Sequence, residues 1–275
     1  MADTQTNTTR GTPENRVLND TTLKWVGMAV TGLFTLLIAV FIGYIVVFQV
    51  DPGLLIEVVY PQFTDAFITV LKIVVISSVL SVVAGVFVGL GRVSRTGFTR
   101  NVARGYIEFF RGTPLLFQLF VIYFGVPTLW PAGQFPFSDF SVPAAIIGLT
   151  LNHAAYIGEA IRGGIESVPG GQMEAARSLG LSYIQSMREV VLPQAWRNAL
   201  AAIGNDQVIL VKDTSLLTVL AVPELISAFR NVNSNTFDPW TPIVIVAVAY
   251  LMITIPLGRI VSYLERRADP AGGNS

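Results

Sequence analysis

Long runs of apolar side chains, each bounded by a few polar residues, recur along this chain of 275 residues. Six of them reach or approach the roughly 20 residues that a helix needs to cross a bilayer, at roughly 24–48, 63–91, 114–130, 142–163, 195–212 and 240–263. No water is present at that depth to satisfy amides and carbonyls, so each run is predicted as a helix that bonds its own backbone. The fold class expected is an all-α membrane protein, a polytopic helical bundle. The first run exceeds the roughly 7–15 residue core of a cleavable signal peptide and reads as a retained anchor. The fifth is the least apolar, with Asn198, Asn205, Asp206 and Gln207 inside it. Ahead of the third, Thr113-Pro114 reads as a capping hydroxyl followed by proline at the first helical position.

One stretch breaks this pattern. In "EAARSLGLSYIQSMREVVLP", residues 174–193, polar side chains dominate. Met173, Ala176, Gly180, Ile184, Met187 and Val191 recur at steps of three and four, while Glu174, Ser178, Ser182, Gln185 and Glu189 fall opposite, the pattern of a surface helix with one apolar stripe. Gly180 is suited to the left-handed turn that ends a helix, and Ser182-x-x-Gln185 has the form of a capping box that starts another. Two short helices bent at Gly180 are therefore predicted, with Pro169-Gly170-Gly171 turning the chain out of the membrane before them and Pro193 opening the next span. A helix that only lies on lipid would show Trp, Phe and Leu over a Lys-rich face. This stripe of Met, Ala and Gly with mixed charges resembles one that docks in a protein groove.

Composition agrees with lipid as the main solvent, since 52% of residues are hydrophobic and 13% charged, about half the charge of a soluble domain. The net charge of zero leaves no bulk field for nucleic acid. Cysteine is absent and histidine occurs once, which excludes disulfides, thiolate metal sites and bis-histidine haem, so no cofactor is expected. With the N-terminus inside, all but three of the 18 Lys and Arg fall on the inner side. The exceptions are Lys72 within the second span and Lys212 and Arg230 outside. Both termini are thus expected in the cytoplasm, with a disordered tail at 1–22 and a flexible tail at 265–275.

Glu174-Ala175-Ala176, three residues, Gly180, nine residues, then Val190, Val191, Leu192 and Pro193 resembles the EAA loop of ABC-importer permease subunits, with Val190 in the usual Ile place. The segments "RGTPLLFQLFVIYFG" (111–125), "LNHAAYIGEAIRGGIESVPGGQ" (151–172) and "IGNDQVILVKDTSL" (203–216) are similar to those of the permeases for polar amino acids (histidine, glutamate, glutamine, arginine and opines). The resemblance implies a five-helix permease domain at 60–264 with its coupling loop at 168–193, and leaves 23–50 as an extra N-terminal transmembrane helix. It implies coupling helices seated in an ATP-hydrolysing partner, with Glu174, Ala175, Ala176, Arg177, Gly180, Leu192 and Pro193 as the coupling residues. The implied partners are two ATP-binding cassette subunits, a second permease copy or close relative, an external solute-binding protein, an amino acid substrate and membrane lipid. His153 and Asp206 stand where the family often shows other side chains, Asp206 being an acidic match to a common Glu.

No phosphate loop, H-E-x-x-H or G-x-S-x-G occurs, so any nucleotide hydrolysis belongs to another polypeptide, and the chain is not expected to be an enzyme. Polar residues within spans mark a candidate substrate path. Asn152, Tyr156 and Glu159 form one stripe flanked by His153, while Asp206 shares a face with Asp213, and Asn205 with Lys212. A zwitterion needs an acceptor for its ammonium group, Glu159 or Asp206, and polar contacts, for which Asn152, His153, Tyr156 and Lys212 are available. Each has a plainer use as well: Glu159 pairing with Arg162, Asn152 bonding a neighbouring helix, His153 as a satisfied core residue, Lys212 snorkelling outward. Between the last two spans, Pro223, Pro239 and Pro242 suggest either a broken outer segment that lines a gate or an outer docking surface, or an ordinary loop with a short helix at 222–230. The rival class is an ion-coupled secondary transporter or channel with Asp206 and Glu159 as its ion site. That reading leaves 174–193 without a purpose.

Overall fold

The computed structural model describes residues 20–268. The expected tails at 1–22 and 265–275 lie for the most part outside the described residues.

Two compact units divide at Val50 and Asp51. The first contains α1 (Asp20–Phe48), a 29-residue helix of apolar side chains interrupted by small ones. The second opens with α2 (Pro52–Leu54), where Asp51 accepts bonds from the amides of Gly53 at 2.8 Å and Leu54 at 3.3 Å. A wider helical turn over Leu55–Val59 leads into α3 (Tyr60–Arg92). Then follow α4 (Gly97–Gly112), α5 (Leu115–Phe120), whose helical path continues to Leu129, and α6 (Ser141–Glu166). The remaining helices are α7 (Gly170–Ser178), α8 (Tyr183–Ser186), α9 (Leu192–Asp213), α10 (Leu225–Thr236) and α11 (Trp240–Ala268).

Among the described residues four helices are long and apolar enough to cross a membrane: α1, α3, α6 and α11. A fifth candidate is bent, because α4 and the helical stretch Leu115–Leu129 meet at 103°. The expected third span is thus only half of a broken element, and α4, placed in an inner loop on the strength of its arginines, is a full amphipathic helix. The predicted fifth span forms as α9 but carries too many amides and carboxylates to meet the same apolar criterion. The face it packs on α6 is built from Ala195, Ala199 and Ile203 with Asp206 among them, while Asn205 is exposed.

The core of the second unit is built on close approach between α3, α6 and α9. A Cβ added at Gly89 of α3 would stand 2.7 Å from the Ile161 Cβ and 2.8 Å from the Gly158 carbonyl oxygen, so only hydrogen fits there. Gly164 meets Ala199 of α9 in the same way, with 2.9 Å between the added Cβ and that of Ala199. Lipid tails are as apolar as leucine, so such small-residue contacts supply packing where the hydrophobic effect cannot.

The last helix runs to Ala268, past the expected boundary at 264. Arg266 and Arg267 fall in its final turn, where cations oppose the negative helix end, and the Arg267 guanidinium lies 5.1 Å from the Tyr263 ring. The predicted helix near 222–230 is observed later and longer, as α10, because Glu224 is its cap.

Candidate functional site

The chain is extended at Thr113 and Pro114, where α4 stops and the next helix begins at 103° to it. Carbonyls freed by such a break inside a membrane need donors. Gln118 supplies them: its Nε2 donates to the Phe110 carbonyl at 2.8 Å, the Thr113 carbonyl at 3.1 Å and the Thr113 hydroxyl at 2.9 Å. Asn152 of α6 donates in turn to Gln118 Oε1 at 3.0 Å and to the Phe110 carbonyl at 3.3 Å. Thr113 does not cap α5 as expected, since its hydroxyl donates back to the Phe109 carbonyl at 2.9 Å.

This braced break forms one wall of a cavity of about 430 Å³ between α4, α6 and α9. Arg111, Thr113 and Pro114 line one side, Asn152, His153 and Tyr156 another, and Asp206, Ile209 and Asp213 the third. His153 is 1% exposed and lies between two carboxylates. Its Nδ1 is 3.0 Å from Asp206 Oδ1, and its Nε2 is 3.4 Å from Asp213 Oδ2. The other Asp206 oxygen is buried without a partner among the described residues. Asp213 is more open, its side chain 28% exposed. Arg111 stacks 5.2 Å over the Tyr156 ring and reaches Glu159 at 3.7 Å. One cavity therefore offers a guanidinium, two carboxylates, an imidazole, fixed amides and an aromatic face.

At the other end of α6 the loop at 168–193 folds as a bent pair. Gly180 has φ +87°, and its amide and that of Leu181 bond back to the Arg177 and Ala176 carbonyls at 3.1 and 3.2 Å. Ser182 and Gln185 form the capping box, with Ser182 N donating to Gln185 Oε1 at 2.8 Å and Gln185 N to Ser182 Oγ at 3.3 Å. The second helix is not separate from the next span, because α8 passes through a wide turn over Met187–Val191 directly into α9. The Arg95 guanidinium stacks 3.6 Å over the Tyr183 ring, tying the segment between α3 and α4 to the loop.

Residues 81–270 match the family described as binding-protein-dependent transport system inner membrane component. The chain is 36% identical over 220 residues to the nopaline transport system permease protein NocM of Agrobacterium fabrum, covering 77% of this chain and 89% of that protein. It is 40% identical over 192 residues to the probable amino-acid ABC transporter permease protein YckA of Bacillus subtilis, covering 70% and 82%. Its fold matches the crystal structure of an amino acid ABC transporter with histidines at a TM-score of 0.71 and 34% identity, covering 79% of this chain and 99% of that one. The chain belongs to this family of inner-membrane permease components. It is a multi-pass helical membrane protein, as the apolar pattern predicted.

Within this permease, three of the expected path residues other than Asp206, namely Asn152, His153 and Tyr156, line the cavity with it. Glu159 does not; its carboxylate is held by Arg162 at 2.6 and 3.0 Å, and Arg162 also bonds Glu166. Lys212 is exposed and does not line the cavity, its side chain being rotated by about 100° around α9 from that of Asp213. Sequence reasoning left Arg111 among the inner-side charges and gave Gln118 no role. The signal for both was the segment "RGTPLLFQ", whose helix-breaking Thr-Pro sits between them.

The apolar stripe of the loop is also redistributed. Ala176 is 4% exposed, and Met173, Met187 and Val191 pack on Val168, in the bend between α6 and α7, and on Ala195 of α9. Leu179, at 84%, and Ile184, at 76%, are the apolar side chains left outside, while Glu174, Ala175, Arg177, Gly180 and Pro193 are exposed and Leu192 half-buried. The left-handed turn at Gly180 rotates the second helix relative to the first, so a stripe read as continuous splits into inner and outer parts.

Proposed function

We propose that this permease carries a polar amino acid through the cavity between α4, α6 and α9, driven by two ATP-binding cassette subunits that bind the loop at 168–193. A second permease subunit completes the pathway and an external solute-binding protein delivers the substrate, as the family description and the relatives' names suggest. The termini lie in the cytoplasm, which the distribution of Lys and Arg supports. Residues 60–264 make up the permease domain, and 23–50 add a transmembrane helix.

The observation that carries this reading is that Arg111 and Asp213 line one cavity at a broken helix. A zwitterion presents a carboxylate and an ammonium group a few ångströms apart; Arg111 supplies donors for the first and Asp213 an open acceptor for the second. Asn152 and Gln118 fix the wall between them, and Tyr156 offers its ring. Glu174, Ala175, Ala176, Arg177, Gly180, Leu192 and Pro193 shape the loop that transmits movement, since α8 and α9 are one continuous path from loop to cavity. Closure of the ATPases would then reach Asp206 and Asp213 through a rigid element.

The test is ATP-driven uptake by the complete transporter reconstituted in vesicles. Arg111→Ala and Asp213→Asn are each expected to lower uptake roughly tenfold or more while the subunits still assemble. Uptake unchanged over a full concentration series, or accumulation without nucleotide and partner subunits, would overturn the proposal.

A further inference from the structure

We infer that His153 is a tethered cation that sets the charge selectivity of this cavity, which takes amino acids with uncharged side chains and turns away those with a cationic one. The inference rests on the cavity being the substrate site.

The argument begins from the imidazole's surroundings. Nδ1 faces Asp206 at 3.0 Å and Nε2 faces Asp213 at 3.4 Å. Nδ1 bonds Asp206, and Nε2, which has no hydrogen-bond partner among the described residues, would turn its lone pair on the Asp213 carboxylate unless it too held a proton, so the ring carries a positive charge. Asp206 Oδ2 has no other partner among the described residues, so removing the imidazole would leave a buried carboxylate unopposed. The remaining titratable groups of the cavity are Arg111 and Tyr156. Glu159, beside them, is already opposed by Arg162.

With His153 charged, Arg111 and His153 balance Asp206 and Asp213. A zwitterion adds no net charge and can be held by the open pair, Arg111 and Asp213, while Asp206 stays engaged. An amino acid with a cationic side chain adds one positive charge in a membrane interior and finds no exposed acceptor for it, since His153 already opposes Asp206 and the unpartnered Asp206 oxygen is buried. The rest of the lining, Gly112, Thr113, Pro114, Leu115, Asn152 and Ile209, is uncharged. Replacing His153 with a small neutral residue opens the imidazole's volume and frees Asp206 to receive that cation.

The experiment is equilibrium binding of radiolabelled L-glutamine and L-arginine to the full-length chain in lipid nanodiscs. The wild-type chain is expected to prefer glutamine. H153S should shift the ratio toward arginine by roughly tenfold or more, and adding D206N to H153S should remove the gain. H153N reads the same ratio should H153S fail to fold. An unchanged ratio in both variants, or a wild-type preference for arginine, overturns the role of His153. R111A separates the two readings. If R111A binds both amino acids as the wild-type chain does, or the wild-type chain binds neither, the site itself is wrong. If R111A abolishes binding and the His153 variants keep the wild-type ratio, only the tethered cation is wrong.

Discussion

Glu224 shows how a single side chain reports its surroundings. It is buried between α9 and α10 and accepts from the amides of Ile226 and Ser227, both at 2.7 Å, as the cap of α10. Burial pushes its carboxyl up to about 7, against the opposing effect of those two amides and of Tyr250. The folded chain therefore holds this proton more tightly than the unfolded one. Its contribution to stability is full below the ordinary value of 4.5 and is lost as pH rises through about 7. Thermal unfolding in detergent should show the wild-type midpoint falling relative to Glu224→Gln between about pH 5 and about pH 8. Parallel curves across that range would rule the effect out. Nothing in the local sequence Val222-Pro223-Glu224 announces a buried carboxylate, because burial comes from elements distant in the chain.

At the scale of elements, the loop at 168–193 separates contact from packing. Leu179 and Ile184 face outward on either side of the Gly180 turn, whereas Ala176 packs inward. Leu179→Asp and Ile184→Asp are expected to abolish co-purification with the ATPase subunits and leave thermal stability within about 0.5 kcal/mol, as surface changes do. Ala176→Asp should instead cost roughly 1–3 kcal/mol by burying an unpaired charge. Equal behaviour of the three variants would contradict this division. The capping box and the glycine turn were legible because both are local: three or four residues fix their hydrogen bonds and dihedral angles. The orientation of the stripe was not, since one left-handed residue changes which side of the second helix meets the first. In α4 the signal was present and outweighed, with Phe98, Val102, Tyr106 and Phe110 recurring every four residues behind Thr96, among arginines that drew the reading toward a loop.

For the molecule as a whole, topology makes the most direct prediction. The chain contains no cysteine, so single introduced thiols report cleanly. Gln172→Cys, on the exposed side of α7, should react with a membrane-impermeant maleimide only after permeabilisation, and Gln134→Cys, between α5 and α6, in intact cells. The reverse pattern would invert the assigned orientation and remove the loop at 168–193 from the cytoplasm. The sequence alone determined that this is a helical membrane protein, where its long apolar helices run, and that a polar bent segment interrupts them. Those features follow from backbone satisfaction in lipid and from short-range periodicity, both of which act within one segment. Tertiary structure decided which charges share a cavity. Arg111, His153, Asp206 and Asp213 come from three helices and meet only because glycine contacts let α3, α6 and α9 pack closely and a braced break turns α4 toward them. Electrostatic partnership depends on distance in space, which separation along the chain does not encode.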